Sequence, residues 1–390
     1  MNEQAEVAQE TVESGGGRVS PLRRVIRSRT ARVSVVAGLV GALLGAGAVA
    51  WRTDTLPLVG GSAPCWDSLG EGTVTALFGE DREIRSEEQR LGRDHRARDL
   101  SYGECRVSSL KDGETRSQVT IRVHELDGLY GLDGDRWPAE YLEPDMVPLG
   151  KGVPGMADAS RAWVAFPESC AGKRRDFTAS TVVDVAWGRA GIDRDAGLSG
   201  WEEDRAALAR AAVDAANGAM RSLGCTASYP APGELPAVAG WQEMRTGPLC
   251  GIEGFALPAG FSAERREALS LERFGGFGGP ARVCEVGGNL PNTYLRFTTV
   301  VDPGLADVFA QDVMRGGVHV QGLKGYGSLS ETRAAYRATC ATGKVVFLVE
   351  QKRAIDDVAF DLTRVMLPAY VEAEAERIGC GPEKLKIMRG

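Results

Sequence analysis

Eight cysteines are the residues of this chain whose chemistry is easiest to specify. They fall at Cys65, Cys105, Cys170 and Cys225, then at Cys250, Cys284, Cys340 and Cys380. Thiols can cross-link, ligate metals or cycle electrons. Zinc sites and dithiol redox sites usually bring their cysteines or histidines together as close pairs. No CxxC or CxxH occurs here, so structural disulfides in an oxidising compartment are the expected use. The positions alone leave the connectivity open.

Other reactive residues are sparse. The three histidines, His95, His124 and His319, show no HExxH and no paired spacing. No metal and no cofactor are expected. Ser108 and Lys111 match SxxK, a nucleophile pattern that places the serine at a helix start with the lysine one turn on. Here the match follows strand-like residues and precedes Asp112-Gly113, so a turn is expected. SDN, KTG and GxSxG are absent. Phe274-Gly-Gly-Phe-Gly-Gly-Pro280 follows no strand into a helix and is expected to be a flexible turn, not a nucleotide loop. Paired acids at Glu80-Asp81, Glu202-Glu203-Asp204 and Asp356-Asp357 could serve glycoside cleavage, but they suit solvated faces and helix starts better. Trp137, Tyr141 and Trp201 could line a ligand surface or form a satellite core. Enzymatic activity stays undecided, and a non-catalytic role is favoured.

The elements that position these residues begin with Val33–Trp51, 19 residues without a charge. As a helix this stretch would span about 28 Å, close to a bilayer core. Arg18, Arg23, Arg24, Arg27, Arg29 and Arg32 precede it, which holds the N-terminus in the cytoplasm and sends the rest outward. A retained signal anchor is the expected reading. Cleavage after Ala50, releasing a secreted protein, is the alternative. Ala37, Gly41 and Gly45 form a small-residue face on which two such helices could dimerise. Residues 1–32 form a cytoplasmic tail, of which 1–17 are too polar to fold. The chain carries −7 net charge, and 25% of its residues are charged. Without the basic N-terminal tail the balance is more acidic still, so no nucleic-acid partner is expected.

Beyond a linker at 52–64, the chain divides into two halves, 65–225 and 250–380, joined by a Pro-rich connection at 226–249 and followed by a tail at 381–390. Elements recur in one order. A first Cys leads to a second Cys in a strand-like run, ECRVSS or RVCEVG. An alternating strand follows, QVTIRVHEL or TYLRFTTVV, and later a glycine-rich loop, LGKGVPG or LKGYG. A third Cys closes SRAWVAFPESC or TRAAYRATC. Another strand and a final helix end at the fourth Cys. Such agreement is the signature of an internal repeat. The first final helix has Ser199 and Glu202 as a capping box, Leu208, Ala212, Ala215, Ala219 and Leu223 on one face, and Gly224 as its stop. The second carries Leu362, Val365, Met366, Ala369 and Ala373, with Pro368 inside. An additional helix is expected after Asp302, with Pro303 in its first turn, Leu305, Val308 and Phe309 inward, and Gly316 past its end.

If each half closes its own thiols, the favoured pairing is sequential: 65–105, 170–225, 250–284 and 340–380. A Cys before a short helix, a second Cys in an early strand and a last helix closing a small sheet resemble actinobacterial extracytoplasmic domains. These include small secreted lipoproteins of unknown function and the outer sensor domains of mycobacterial receptor kinases. The excess of Arg over Lys and the abundance of Ala and Gly fit an actinobacterial genome. The expected fold class is therefore α+β: one N-terminal transmembrane helix, then two related domains, each a mainly antiparallel sheet with flanking helices. The expected function is non-catalytic binding of a cell-envelope component, ligand or protein partner outside the cytoplasm. An envelope hydrolase and a structural subunit of a membrane assembly are the alternatives.

Overall fold

The structure is a computed structural model of the chain. It describes residues 63–80, 82–94, 100–126, 141–167, 169–170, 181–188, 201–244, 247–288, 293–310, 312–314, 317–355 and 362–388. The Val33–Trp51 stretch, with Ala37, Gly41 and Gly45, lies outside them, as do His95, Trp137, Ser199 and Gly316.

Strands carry the first half: β1 (Glu83–Glu88), β2 (Gly92–Asp94), β3 (Leu100–Lys111), β4 (Glu114–Glu125), β5 (Val147–Pro148), β6 (Gly155–Ala157), β7 (Arg161–Ala165) and β8 (Thr181–Trp187). They form one antiparallel sheet in the order β1-β3-β4-β8-β7-β6-β5, with β2 on β3. The second half supplies β9 (Gln242–Glu243), β10 (Leu271–Gly275), β11 (Ala281–Gly287), β12 (Thr293–Val300), β13 (Val318–Gln321), β14 (Gly325–Leu329), β15 (Arg333–Cys340), β16 (Gly343–Gln351) and β17 (Lys386–Ile387). Their antiparallel order is β17-β13-β14-β15-β16-β12-β11-β10-β9. Within it, β10-β11-β12-β16-β15-β14-β13 repeats the path of the first sheet strand for strand.

This architecture corrects the expected fold class. The described residues are mostly two antiparallel sheets with few helices, instead of an α+β chain led by a transmembrane helix. No helix among them is long and apolar enough to cross a membrane. Their longest, Trp201–Ser222, carries seven charged side chains, including Glu202, Asp214 and Arg221. The discrepancy in class has a physical source. Short strands such as β5, β9 and β17 are only two residues long, too short for alternation to show.

One face of each sheet meets its own helix. Ile121, Val123, Val183 and Val185 pack with Leu208, Ala212, Ala215 and Ala219 of the Trp201–Ser222 helix. Gly218 lets this helix approach closely, since a Cβ there would lie 2.3 Å from Ser68 Cβ. In the second half, Phe297, Tyr336 and Phe347 pack with Met366, Tyr370 and Val371 of the Leu362–Arg377 helix. The inward face of that helix differs from the expected one. Val365 and Ala369 are exposed, whereas Tyr370 and Glu374 are buried. Polar groups are buried where they are satisfied. Tyr370 Oη lies 2.6 Å from Thr299 Oγ1, and Glu374 accepts from Thr299, Arg282 and Arg377. The Pro303–Val308 helix forms as expected, with Asp302 accepting from Leu305 N at 2.9 Å, a cap worth about 1 kcal/mol.

The opposite faces of the two sheets share a third apolar cluster. Trp163, Ala165 and Val182 of the first sheet join Val283, Val300, Val346 and Leu348 of the second, with Leu142, Met146 and Phe309 between. The layers therefore run helix, sheet, sheet, helix. Each half also closes two disulfides of its own: Cys65–Cys105, Cys170–Cys225, Cys250–Cys284 and Cys340–Cys380. The first Cys of each half takes a left-handed backbone, φ 60° at Cys65 and 58° at Cys250, a conformation disfavoured without glycine. A strand carboxylate supports each turn: Glu88 on β1 accepts from Trp66 N at 2.6 Å and Glu272 on β10 from Cys250 N at 2.7 Å.

Candidate functional site

Strand alternation sends Arg122 and Asp184 to the shared face, because their neighbours Ile121, Val123, Val183 and Val185 face the helix. Arg122 and Asp184 are opposite each other in register. Arg122 Nη2 donates to Asp184 Oδ2 at 2.9 Å, and Arg161 Nη1 reaches both carboxylate oxygens at 3.1 and 3.2 Å. Tyr141 covers this trio: its ring centroid lies 4.9 Å from the Arg161 guanidinium carbon. Its carbonyl accepts from Trp163 Nε1 at 2.9 Å, and His124 Nε2 stands 3.2 Å from its hydroxyl. Burial pushes the Tyr141 phenol well above its ordinary range and Asp184 adds to this, while Arg161 and Arg122 oppose. Burial works against the charge of Arg122, but Asp184 and Tyr141 outweigh it and strengthen its protonation.

The second sheet repeats the pattern at equivalent strands. Arg296 on β12 and Arg333 on β15 both face Glu350 on β16 in register. Glu350 Oε1 accepts from Arg333 at 3.0 Å and from Lys352 at 3.1 Å. Arg296 turns instead to Glu285, donating to Oε1 from Nε at 2.8 Å and from Nη2 at 2.5 Å. Glu285 Oε2 accepts from Arg273 Nε at 2.9 Å and from Thr293 at 3.1 Å. Burial would raise both acids, yet cations prevail and lower them: Arg296 and Arg273 at Glu285, Lys352 and Arg333 at Glu350. Within this network, Arg296 Nη1 and Glu350 Oε2 are buried without a partner among the described residues.

A loop from the first half reaches this second network. Glu143-Pro144-Asp145-Met146 is a turn closed by Met146 N–H donating to Glu143 O at 3.0 Å, with proline in its favoured second position. Asp145 accepts from Arg273 Nη1 at 2.8 Å. The glycine-rich hairpin gives the turn room. A Cβ on Gly275 would lie 2.4 Å from Pro144 O, and one on Gly279 would lie 2.7 Å from Pro148 Cβ. Phe274–Pro280 is thus a contact surface between the halves. The Glu143 carboxyl is raised, first by burial; Arg296 opposes, and Asp158, Asp145 and Glu285 push the same way as burial.

Carboxylates held below their ordinary range by two cations are weak bases, so Glu285 and Glu350 are built for ion pairing. The remaining sequence candidates scatter. Ser108 and Lys111 lie on β3 before the Asp112-Gly113 turn, three residues apart and so on opposite faces. His319 lies on β13, distant in the chain from His124 on β4. Glu202, Glu203 and Asp204 occupy the first turn of a helix. Asp81, Asp356 and Asp357 lie outside the described residues. Cys250, Glu272 and Cys284 gather three potential metal ligands, but the two sulfurs are bonded to each other and Glu272 caps the Cys250 turn. The arginine–acid trios escaped sequence reading. Their signal was a lone charge between strand apolars, as in Ile121-Arg122-Val123 and Val183-Asp184-Val185, which resembles a solvated face.

No known protein family, curated protein or solved structure matches the chain.

Proposed function

We propose that this protein is a non-catalytic binding protein that works outside the cytoplasm, on a cell-envelope component, a small ligand or a protein partner. The observation that carries the reading is the closure of all eight cysteines into four bridges, which persist where the surroundings are oxidising. The shared strand order supports two copies of one unit, fused back to back.

The acids near the shared face also favour binding over catalysis. Asp145 and Glu285 are tied to Arg273, Asp184 is held by two arginines, and Asp158 Oδ1 accepts from Ser160 N and Arg161 N. Among these acids near the shared face, Glu143 has the raised carboxyl of a general acid, the feature there that favours an envelope hydrolase. Such an enzyme needs a second carboxylate free to act as base or nucleophile. The test is retention of envelope material by the disulfide-intact protein, with turnover of envelope polymers assayed in parallel. Retention that disappears on reduction, without turnover, supports binding. Hydrolysis abolished by Glu143→Gln would replace this reading with the hydrolase.

A further inference from the structure

The second sheet ends in the β13–β14 hairpin and the returning strand β17, and register fixes which side chains share a face there. Lys386, Gln321, Tyr326 and Arg337 stand in one row across β17, β13, β14 and β15. Val346 on β16 continues the row into the shared apolar cluster. Met388 and His319 lie two residues along the same face, and Met388 N–H donates to His319 O at 2.9 Å. The row is buried at Val346 and loses its cover toward the edge, where Gln321, Tyr326, Lys386, His319 and Met388 are exposed. Leu323 stands at the hairpin tip, 72% exposed. Seven large apolar side chains are exposed among the described residues, and three of them, Leu323, Tyr326 and Met388, fall at this edge. Single exposed apolar residues are ordinary; a group of them rimmed by charge marks an interaction surface.

The rim is cationic. Four of the chain's eight lysines, Lys324, Lys344, Lys384 and Lys386, lie here. Lys324 N–H donates to both oxygens of buried Glu383 at 3.1 Å, which sets Lys384 beside the tip. Lys344 faces Thr339, whose N–H donates to Lys324 O at 3.1 Å. The nearby acids are engaged. Asp307 pairs with Arg337 and Lys344, Glu383 accepts from Tyr336 and Lys324, and Glu372 lies 4.0 Å from Lys384. The first sheet has no such edge. Its equivalent strands β5 and β6 are buried at every residue. Gly233 N–H donates to Leu149 O at 2.8 Å, so the Pro-rich connection covers the chain there. The loop that joins them turns at Gly150-Lys151-Gly152, without a large apolar side chain. The exposed edge is therefore a departure of the second copy, not a consequence of strand order.

We infer that the β13–β14 hairpin and β17 dock the protein on the anionic headgroup surface of a lipid bilayer. Leu323, Tyr326 and Met388 enter the interface, and Lys384 and Lys386 meet headgroup phosphates. Lysine stems lie along apolar material while their ammonium groups reach the charged layer. A tyrosine ring suits the same boundary, apolar in its body and polar at its tip. Each lysine near an anionic surface adds attraction that neutral lipid does not supply. A soluble acidic polymer could pair with the lysines but would leave Leu323 in water. The inference rests on the extracytoplasmic binding reading and narrows its envelope component to lipid.

Amide exchange of the full, disulfide-intact chain tests the docking. It is measured on vesicles of phosphatidylcholine alone and on vesicles in which about one-third of the lipid is phosphatidylglycerol. The neutral vesicles serve as reference for any insertion by Val33–Trp51. Exchange across residues 322–326 should slow by about threefold or more on the anionic vesicles relative to the neutral ones, while the Ile121 amide in the first sheet stays unchanged. Leu323→Asp combined with Lys386→Glu, both at exposed positions, should abolish the difference. Equal exchange on both vesicles, or slowing that survives the double variant, would overturn the inference. Slowing by a soluble polyuronate and not by vesicles would overturn it in favour of an acidic glycan. Retention of envelope material with an unchanged hairpin would overturn this inference and leave the binding reading standing, whereas loss of both would end both.

Discussion

The two sheets place the same charge pattern on the same strands and complete it differently. In the first, Asp184 binds Arg122 and Arg161 together, and Tyr141 covers the trio with its ring. In the second, Arg296 has turned to Glu285, and Glu350 is left to Arg333 and Lys352. Arg296 Nη1 and Glu350 Oε2 of that network stay buried without partners among the described residues, at about 1–3 kcal/mol each. A shared strand order therefore fixes where charge can be buried, while the loops decide whether it is satisfied. The first half supplies an aromatic cover from its own chain. The second half receives the Glu143–Met146 turn of its neighbour instead.

Substitutions can break or sharpen this contrast. Asp184→Ala strands Arg161, whose side chain is only 8% exposed, and takes the acid from half-buried Arg122, so it should cost about 3–5 kcal/mol in urea unfolding. An effect below about 1 kcal/mol would show that the trio is not desolvated. Removing the Cys340–Cys380 bridge as a double serine variant opens a closure of 40 residues and should cost about 2–4 kcal/mol. Glu350→Ala should cost less than Asp184→Ala, about 1–3 kcal/mol. Its cations Arg333 and Lys352 are 26% and 33% exposed and can recover water, and one of its oxygens had no partner to lose. The pH profile sharpens this point. Glu350 is lowered in the fold, so its stabilisation is present above the ordinary glutamate range and lost as pH falls through the lowered value. Acid unfolding of the wild type should therefore be steeper than that of Glu350→Ala between about pH 5 and pH 2. Tyr141→Phe keeps the ring over Arg161 and removes only the hydroxyl. A loss of about 1 kcal/mol is expected, the smallest change of the set.

Much of this fold was legible because its long strands alternate. QVTIRVHEL and TYLRFTTVV show their pleat plainly, and they became β4 and β12 at equivalent places in the two sheets. Cysteine phase was equally informative, since each half closes its thiols in sequential order. The short edge strands were not legible, because two or three residues carry no period. Nor was the buried face of the Leu362–Arg377 helix, where Tyr370 and Glu374 point inward only because Thr299, Arg282 and Arg377 receive them. The meeting of the two sheets was hidden for a related reason. A lone arginine or aspartate in a strand looks like a solvent-facing residue until its partner on another strand is known. The glycine-rich hairpin has the sequence of a flexible turn, although two of its glycines answer to Pro144 and Pro148 in the other half.

The most direct measurement is disulfide mapping by mass spectrometry under non-reducing conditions, on protein recovered from its native host with free thiols blocked at lysis. Four bridges are expected, Cys65–Cys105, Cys170–Cys225, Cys250–Cys284 and Cys340–Cys380, and no blocked thiol. Widespread blocking of those cysteines, or any bridge that joins one half to the other, would contradict it.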